Sequence, residues 1–280
     1  MFILEILKAI IIGAVEGITE WLPISSTGHM ILIDEILKLD VSEEFLEMFL
    51  VVIQLGAILA VPVLFWNKLW PLSKKKSVAE RKGTLTLWLK VIVGAVPAAI
   101  LGVLLDDLLD KYLYSYIVVA IALVVYGVAF ILVEKFKAEK EYRIENVEDI
   151  GYVDALKIGA FQCLSLIPGT SRSGSTILGG MLSGVSRKAS AEFSFFMAIP
   201  IMLGASALKI LKFILDGFTA STNEIILLLV GIVVSFLVSF FVIRFLMDFV
   251  KRHDFKIFGY YRIGLGLLVV IYFLIKSFVL

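Results

Sequence analysis

The sequence predicts an all-α polytopic membrane protein: six transmembrane helices plus two re-entrant helical hairpins, arranged as an inverted-topology repeat. Three observations carry that reading. Sixty per cent of the residues are hydrophobic and the mean hydropathy is +0.99, more apolar surface than one soluble core of this length could hide. Six segments approach the roughly 20 apolar residues that a bilayer core requires. Two further apolar regions are each broken by a proline that leads into a run of Ser, Thr and Gly.

The six spans fall at roughly 48–66, 86–105, 112–133, 192–212, 225–247 and 260–280. The broken regions are 2–33, interrupted at Pro23, and 154–185, interrupted at Pro168-Gly169. Half-segments of about 12–15 residues are too short to cross a bilayer, so each region reads as a re-entrant hairpin. Irregular backbone at that depth is tolerated only where protein or a water-filled cavity surrounds it. Both loops are therefore site candidates.

Orientation follows from the basic residues. The loops 67–85, 134–153, 184–191 and 248–259 together hold 15 Lys/Arg, whereas 34–47, 106–111 and 213–224 hold only Lys38 and Lys111. Six spans put the first group on one side, predicted cytoplasmic, and leave both termini outside. Lys74-Lys75-Lys76 and Arg187-Lys188 read as positive-inside anchors. Glu5 and Lys8 interrupt the first apolar run and no small-residue cleavage site follows, so no cleavable signal is expected.

The two halves resemble each other. Gly13-Ala14-Val15-Glu16 matches Gly159-Ala160-Phe161-Gln162, and each is followed by the proline and its polar run. Further on, Phe45 and Leu55-Gly56-Ala57 match Phe193 and Leu203-Gly204-Ala205. A hairpin followed by three spans inserts its second copy upside down, which places the broken helices face to face near the midplane. The chain is then one membrane domain over 1–280: repeat one about 1–133, a connector 134–153 and repeat two about 154–280. The connector, of mixed charge, reads as solvated and cytoplasmic.

Composition excludes several functions. A net charge of +1 gives no basic field for nucleic acid. One cysteine, Cys163, rules out an internal disulfide and reads as a small buried hydrophobe. With only His29 and His253, no zinc cluster is available. Phe193, Phe195, Phe196 and Met197 read as packing or lipid-facing surface, and Glu192 as marking the cytoplasmic edge of its span.

The polar loops carry the chemistry. Glu16 and Glu20, four apart, share one helix face, and intramembrane carboxylates are a functional hypothesis by default. The plainer alternative has both near the interface and reaching water. After Pro23 come Ser25, Ser26, Thr27, Gly28 and His29. Capping the next helix accounts for one hydroxyl. His29 could move a proton near neutral pH, with Ser26 or Ser25 as its nucleophile. In the second loop, Gly169 and Gly174 allow close backbone approach, and the helix start beyond them offers N–H groups to an anion. Arg172 adds a bidentate fork suited to phosphate. Thr170, Ser171, Ser173 and Thr176 supply donors. No Lys-Ser/Thr ending follows, so this is not a nucleotide P-loop. A buried structural arginine paired with Glu16 or Glu20 is compatible with the same site.

Glu16-Gly17-Ile18-Thr19-Glu20-Trp21-Leu22-Pro23-Ile24-Ser25-Ser26-Thr27-Gly28-His29, with Pro168-Gly169-Thr170-Ser171-Arg172-Ser173-Gly174-Ser175-Thr176, resembles the bacterial undecaprenyl-diphosphatase family linked to bacitracin resistance. The resemblance covers the whole chain. It implies removal of the terminal phosphate of undecaprenyl diphosphate, which regenerates the carrier lipid for peptidoglycan synthesis. It further implies a multi-pass protein of the plasma membrane, a site open to the outer face, and stimulation by a divalent cation, Mg2+ or Ca2+. By motif position Glu16, Glu20, Ser26, His29 and Arg172 would be essential. The roles expected are catalysis by Glu20, Ser26, His29 and Arg172, with metal binding by Glu16 and Glu20. Substrate binding is expected from Glu16, Ser25, Thr27, Gly169, Thr170, Ser171, Ser173, Gly174 and Thr176. The attacking group stays open among Ser26, His29 and water. Partners expected are the polyprenyl diphosphate and membrane lipid, without nucleic acid; a homodimer is an open option. A flippase for the same lipid is the main rival reading.

Overall fold

The computed structural model describes residues 2–113, 115–137 and 141–279. Among them are twelve α-helices: α1 (Phe2–Thr19), α2 (Ser26–Ile36), α3 (Glu43–Val52), α4 (Gln54–Leu64), α5 (Trp66–Leu69), α6 (Val78–Leu113), α7 (Tyr116–Lys137), α8 (Tyr152–Cys163), α9 (Arg172–Leu182), α10 (Arg187–Leu215), α11 (Thr222–Phe249) and α12 (Lys256–Val279). No strand occurs among the described residues.

Six stretches are long and apolar enough to cross a membrane: Glu43–Leu64, Val78–Leu105, Tyr116–Phe136, Arg187–Leu215, Thr222–Phe249 and Lys256–Phe278. They coincide with the six expected spans, with shifted ends. The second begins eight residues early, at Val78, because Arg81 and Lys82 continue as helix beyond the apolar window. Caps set other starts: Ser42, Ser186 and Ser221 each accept an N–H of the first turn. The first crossing is two helices, because α3 closes at Ile53 and α4 restarts at Gln54.

The two broken regions are helical pairs, α1–α2 and α8–α9. Three of the four helices have 11 or 12 residues, but α1 has 18. That exceeds the expected half-segment, since its helix begins at Phe2 and Lys8 neutralises Glu5 at 2.8 Å. Each pair packs chiefly on the other half of the chain: α1 lies along α11, and α8 along α6. The closing helices of the halves, α7 and α12, pack on each other.

Between helices in lipid there is little hydrophobic drive, so close approach over small residues carries the packing. A Cβ on Gly13 would stand 2.7 Å from the Gly231 carbonyl oxygen, and one on Gly159 only 2.2 Å from that of Gly94. These two glycines, which occupy matching places in the similar sequences Gly13–Glu16 and Gly159–Gln162, each meet a glycine of the other half. The first turns of α10 are equally tight, with Phe193, Phe195, Phe196 and Met197 wholly buried. Those residues pack against protein and do not face lipid.

The connector is not simply solvated. Glu134 is fully buried, accepting from Arg187 Nε at 2.9 Å and from the Phe255 N–H at 2.9 Å. Val147 and Ile150 are buried, and Ile144 forms a bridge with Val185. Glu192 is buried as well, bound to Lys68 at 2.6 Å. The sequence reading missed this docking because Glu134, Arg143 and Glu148 find their partners outside the connector, in Arg187, Asp154 and Lys68.

Gly159→Ala should lower thermal stability in detergent by about 1–3 kcal/mol, since backbone must shift to admit the methyl. Gly204→Ala has nothing within 4 Å of the new carbon and should cost nothing. Denaturation of both variants, followed side by side, checks this.

Candidate active site

The site begins with two loops built alike. Ser25 and Ser171 are the only non-glycine residues with positive φ among those described, at 74° and 71°. L side chains resist this region, and strained backbone of this kind gathers at functional sites. Each serine caps the short helix that follows. Ser25 Oγ accepts from the Gly28 N–H at 3.3 Å and Ser171 Oγ from the Gly174 N–H at 3.1 Å. The N-termini of α2 and α9, where backbone N–H groups lack intrahelical acceptors, are linked through Glu20, which bonds both Ser26 and Arg172.

What joins the loops is an ion pair. Arg172 Nε and Nη2 both donate to Glu20 Oε1, at 3.1 and 3.0 Å. Only 10% of the arginine side chain and 7% of the glutamate side chain remain exposed. Arg172 Nη1 donates to the Ser194 carbonyl oxygen at 2.7 Å, and the guanidinium lies over the Trp21 ring at 5.6 Å. Phe195 holds that ring edge-on at 5.1 Å. Glu20 Oε2 accepts from Ser26 Oγ at 3.3 Å. Ser173 Oγ donates to the Glu20 carbonyl oxygen at 3.0 Å, so the second loop grips the backbone of the first as well as its charge.

A second arginine, which the sequence reading did not single out, closes the arrangement. Arg262 on α12 is wholly buried. Its Nη1 donates to the Pro23 carbonyl at 3.1 Å, and its Nη2 to the Gly169 and Thr170 carbonyls at 2.8 and 3.0 Å. One guanidinium thus ties both proline turns. The available signal was a charge inside an apolar span, which marks a functional residue by default. Ser194 and Tyr261 were also missed; as neutral residues on long spans they carried no signal.

The remaining expected residues divide into two groups. The hydroxyls of Thr170 and Thr176 are spent on the protein: Thr170 donates to the Leu164 and Ile167 carbonyls, Thr176 to Ser194 Oγ at 2.7 Å. Ser171 Oγ and Ser173 Oγ stand 3.2 Å apart. Gly169, at φ +92°, presses on the Val119 backbone, and Gly174 leaves room for Arg262. Glu16, Ser26 and Thr27 are less fully engaged. Ser26, Thr27 and His29 are half-buried. Glu16 is buried to 1%, with Oε1 lacking any hydrogen-bond partner. Neither glutamate sits at a water-facing edge, so the snorkelling alternative is set aside. His29 Nδ1 meets the Ser25 carbonyl at 2.7 Å and Nε2 the Tyr261 hydroxyl at 2.7 Å. His29 and Ser26 share no hydrogen bond, so they form no nucleophile–base pair in this state.

Among the described residues no group of three His, Cys, Asp or Glu could hold a metal alone. The orphaned oxygen of Glu16, beside Glu20, nevertheless suits a hard cation. Mg2+ characteristically takes one or two carboxylates together with substrate phosphates.

Two glutamates, two arginines and the ends of two short helices form a buried polar site within a bundle of helices long and apolar enough to cross a membrane, which makes this a multi-pass membrane protein. Residues 9–268 match the family model described as Bacitracin resistance protein BacA, and the chain belongs to that family. An undecaprenyl-diphosphatase of Acetivibrio thermocellus is 58% identical over 97% of this chain and 98% of its own length. Similar proteins of the same name come from Enterococcus faecalis, 57% identical over 96% of this chain and 97% of its own, and Desulfitobacterium hafniense, 52% identical over the full length of both.

Arg262→Met should destabilise the protein markedly, because three buried carbonyls lose their donor at about 1–3 kcal/mol each before relaxation. A fall in the midpoint of thermal unfolding in detergent reads this out, and Arg262→Lys should restore only part of it, since an ammonium lacks the planar fork.

Proposed function

We propose that this protein hydrolyses undecaprenyl diphosphate to undecaprenyl phosphate and inorganic phosphate, within the membrane and from its outer face. The observation that carries the reading is the Glu20–Arg172 pair with Ser26 on its free oxygen. A buried guanidinium held by one carboxylate can be taken over by a diphosphate, whose bidentate oxygens compete for the same fork. The names of the relatives and the family match support the substrate. The excess of Lys/Arg in four loops supports the outer face and external termini. The exchange of α1 and α8 between halves, the matched glycines and the twin serine caps support an inverted repeat with the site at its centre.

In this mechanism Arg172 and the helix ends of α2 and α9 hold the terminal phosphate. Arg172, turning to the substrate, leaves Glu20 free to take the proton of the Ser26 hydroxyl. Ser26 Oγ bonds to the terminal phosphorus, the bond from that phosphorus to the bridging oxygen breaks, and undecaprenyl phosphate leaves. Water then releases phosphate from Ser26. Phosphoryl transfer asks chiefly for positioning and charge neutralisation, which this residue set supplies. Glu16 and Glu20 would hold a divalent cation, Mg2+ or Ca2+, and the cation would offset phosphate charge. Thr170, Ser171, Ser173 and Thr176 act here by fixing the loop, Thr27 borders the substrate, and His29 shares the proton handling with Glu20.

Phosphate release by purified protein in detergent tests the reading. Glu20→Ala and Arg172→Ala should each lose about 100-fold or more, the scale of removing a charge-stabilising group. Full activity in either variant contradicts the site, and substrate binding without release by the parent protein would favour transport instead. Ser26→Ala should abolish any trapped phosphoenzyme; near-normal turnover would remove Ser26 from the attacking role. Chelation should depress release, with Glu16→Gln blunting recovery on adding Mg2+.

A further inference from the structure

His29 is held on both of its nitrogens. Nδ1 faces the Ser25 carbonyl at 2.7 Å, and a carbonyl oxygen only accepts, so Nδ1 carries the ring proton. In the neutral ring Nε2 is then the lone-pair nitrogen, and at 2.7 Å it receives the O–H of Tyr261. The two rings also stack, with centroids 5.6 Å apart and planes within 9°. Tyr261 itself is 48% exposed, so the hydroxyl covering Nε2 sits on the accessible side of the histidine. Nearly two turns farther along α2, Glu35 binds Lys276 at 2.7 Å and Tyr272 at 3.3 Å. The helix that carries Ser26 and His29 is therefore strapped to α12 at both ends, once by the stacked tyrosine and once by the Glu35 pair.

We propose that Tyr261 is the positioning residue for His29. Its ring holds the imidazole in place and its hydroxyl occupies Nε2, while the Ser25 carbonyl sets the Nδ1-protonated tautomer. His29 thereby reaches the reaction already oriented, with Nε2 as its one lone-pair nitrogen. For the reaction this rests on the phosphatase reading above; the tautomer and its cover do not.

Two measurements separate those parts. Diethyl pyrocarbonate adds to an imidazole lone pair, and mass spectrometry reports modification of His29 relative to His253, an exposed internal reference. In the parent protein His29 should react more slowly than His253. In Tyr261→Phe, which keeps the stacked ring and the Glu35 strap, the His29 to His253 ratio should rise about tenfold, the scale of one lost hydrogen bond. An unchanged ratio in that variant, or a parent His29 as reactive as His253, would overturn the proposal. Phosphate release by Tyr261→Phe should show kcat reduced several-fold with KM unchanged; KM rising alone would contradict a role through His29. If the parent protein released no phosphate, the phosphatase reading would fall, and the modification ratio would still decide whether Tyr261 covers Nε2.

Discussion

The structure depends on one buried ion pair, Glu20 with Arg172, made between halves of the chain that meet nowhere else through opposite charges inside the site. Desolvating two charges costs several kcal/mol per ion, and mutual attraction offsets that only when geometry is good and other hydrogen bonds complete the shell. Here the shell is complete on the arginine side, through Ser194 and the face of Trp21. On the acid side it is completed by Ser26 and by Ser173 on the backbone. Such a pair contributes little net stability, but it fixes register between the loops and leaves one partner exchangeable for a substrate of the same charge.

Seen from that pair, the neighbouring hydroxyls divide their work. Ser25 and Ser171 hold strained turns, Thr170 and Thr176 stitch their own loop, and Ser173 clamps the opposite backbone. Only Ser26 donates to the acid that faces the arginine. Of these six hydroxyls, Ser26 alone bonds the acid that faces the arginine, while the other five have partners that the loop conformation needs.

Much of this was legible in the sequence, for physical reasons. Charge inside apolar segments singled out Glu16, Glu20 and Arg172, and proline with glycine singled out the turns. Six spans emerged because bilayer thickness imposes a length that composition cannot disguise. The ends of those spans did not emerge, since helix propensity carries α6 past its apolar window. Arg262 was overlooked because it stood near the assumed end of a span, where a basic residue reads as an anchor. The connector was misjudged because charge suggests solvent until a partner is seen; Glu134 needed Arg187, 53 positions away, to be buried. Gln162, the repeat counterpart of Glu16, shows the limit of internal homology. Both are buried with side-chain atoms unpartnered, yet only one is an acid.

The most direct measurement of the central claim is a double-mutant cycle on thermal unfolding in detergent, with Glu20→Gln, Arg172→Met and the two combined. A buried pair that sets register predicts that each single change destabilises by about 3–5 kcal/mol, leaving a lone charge behind, and that the double variant is more stable than either. Losses that simply add would mean that the two side chains are not coupled, and that something else holds the loops together.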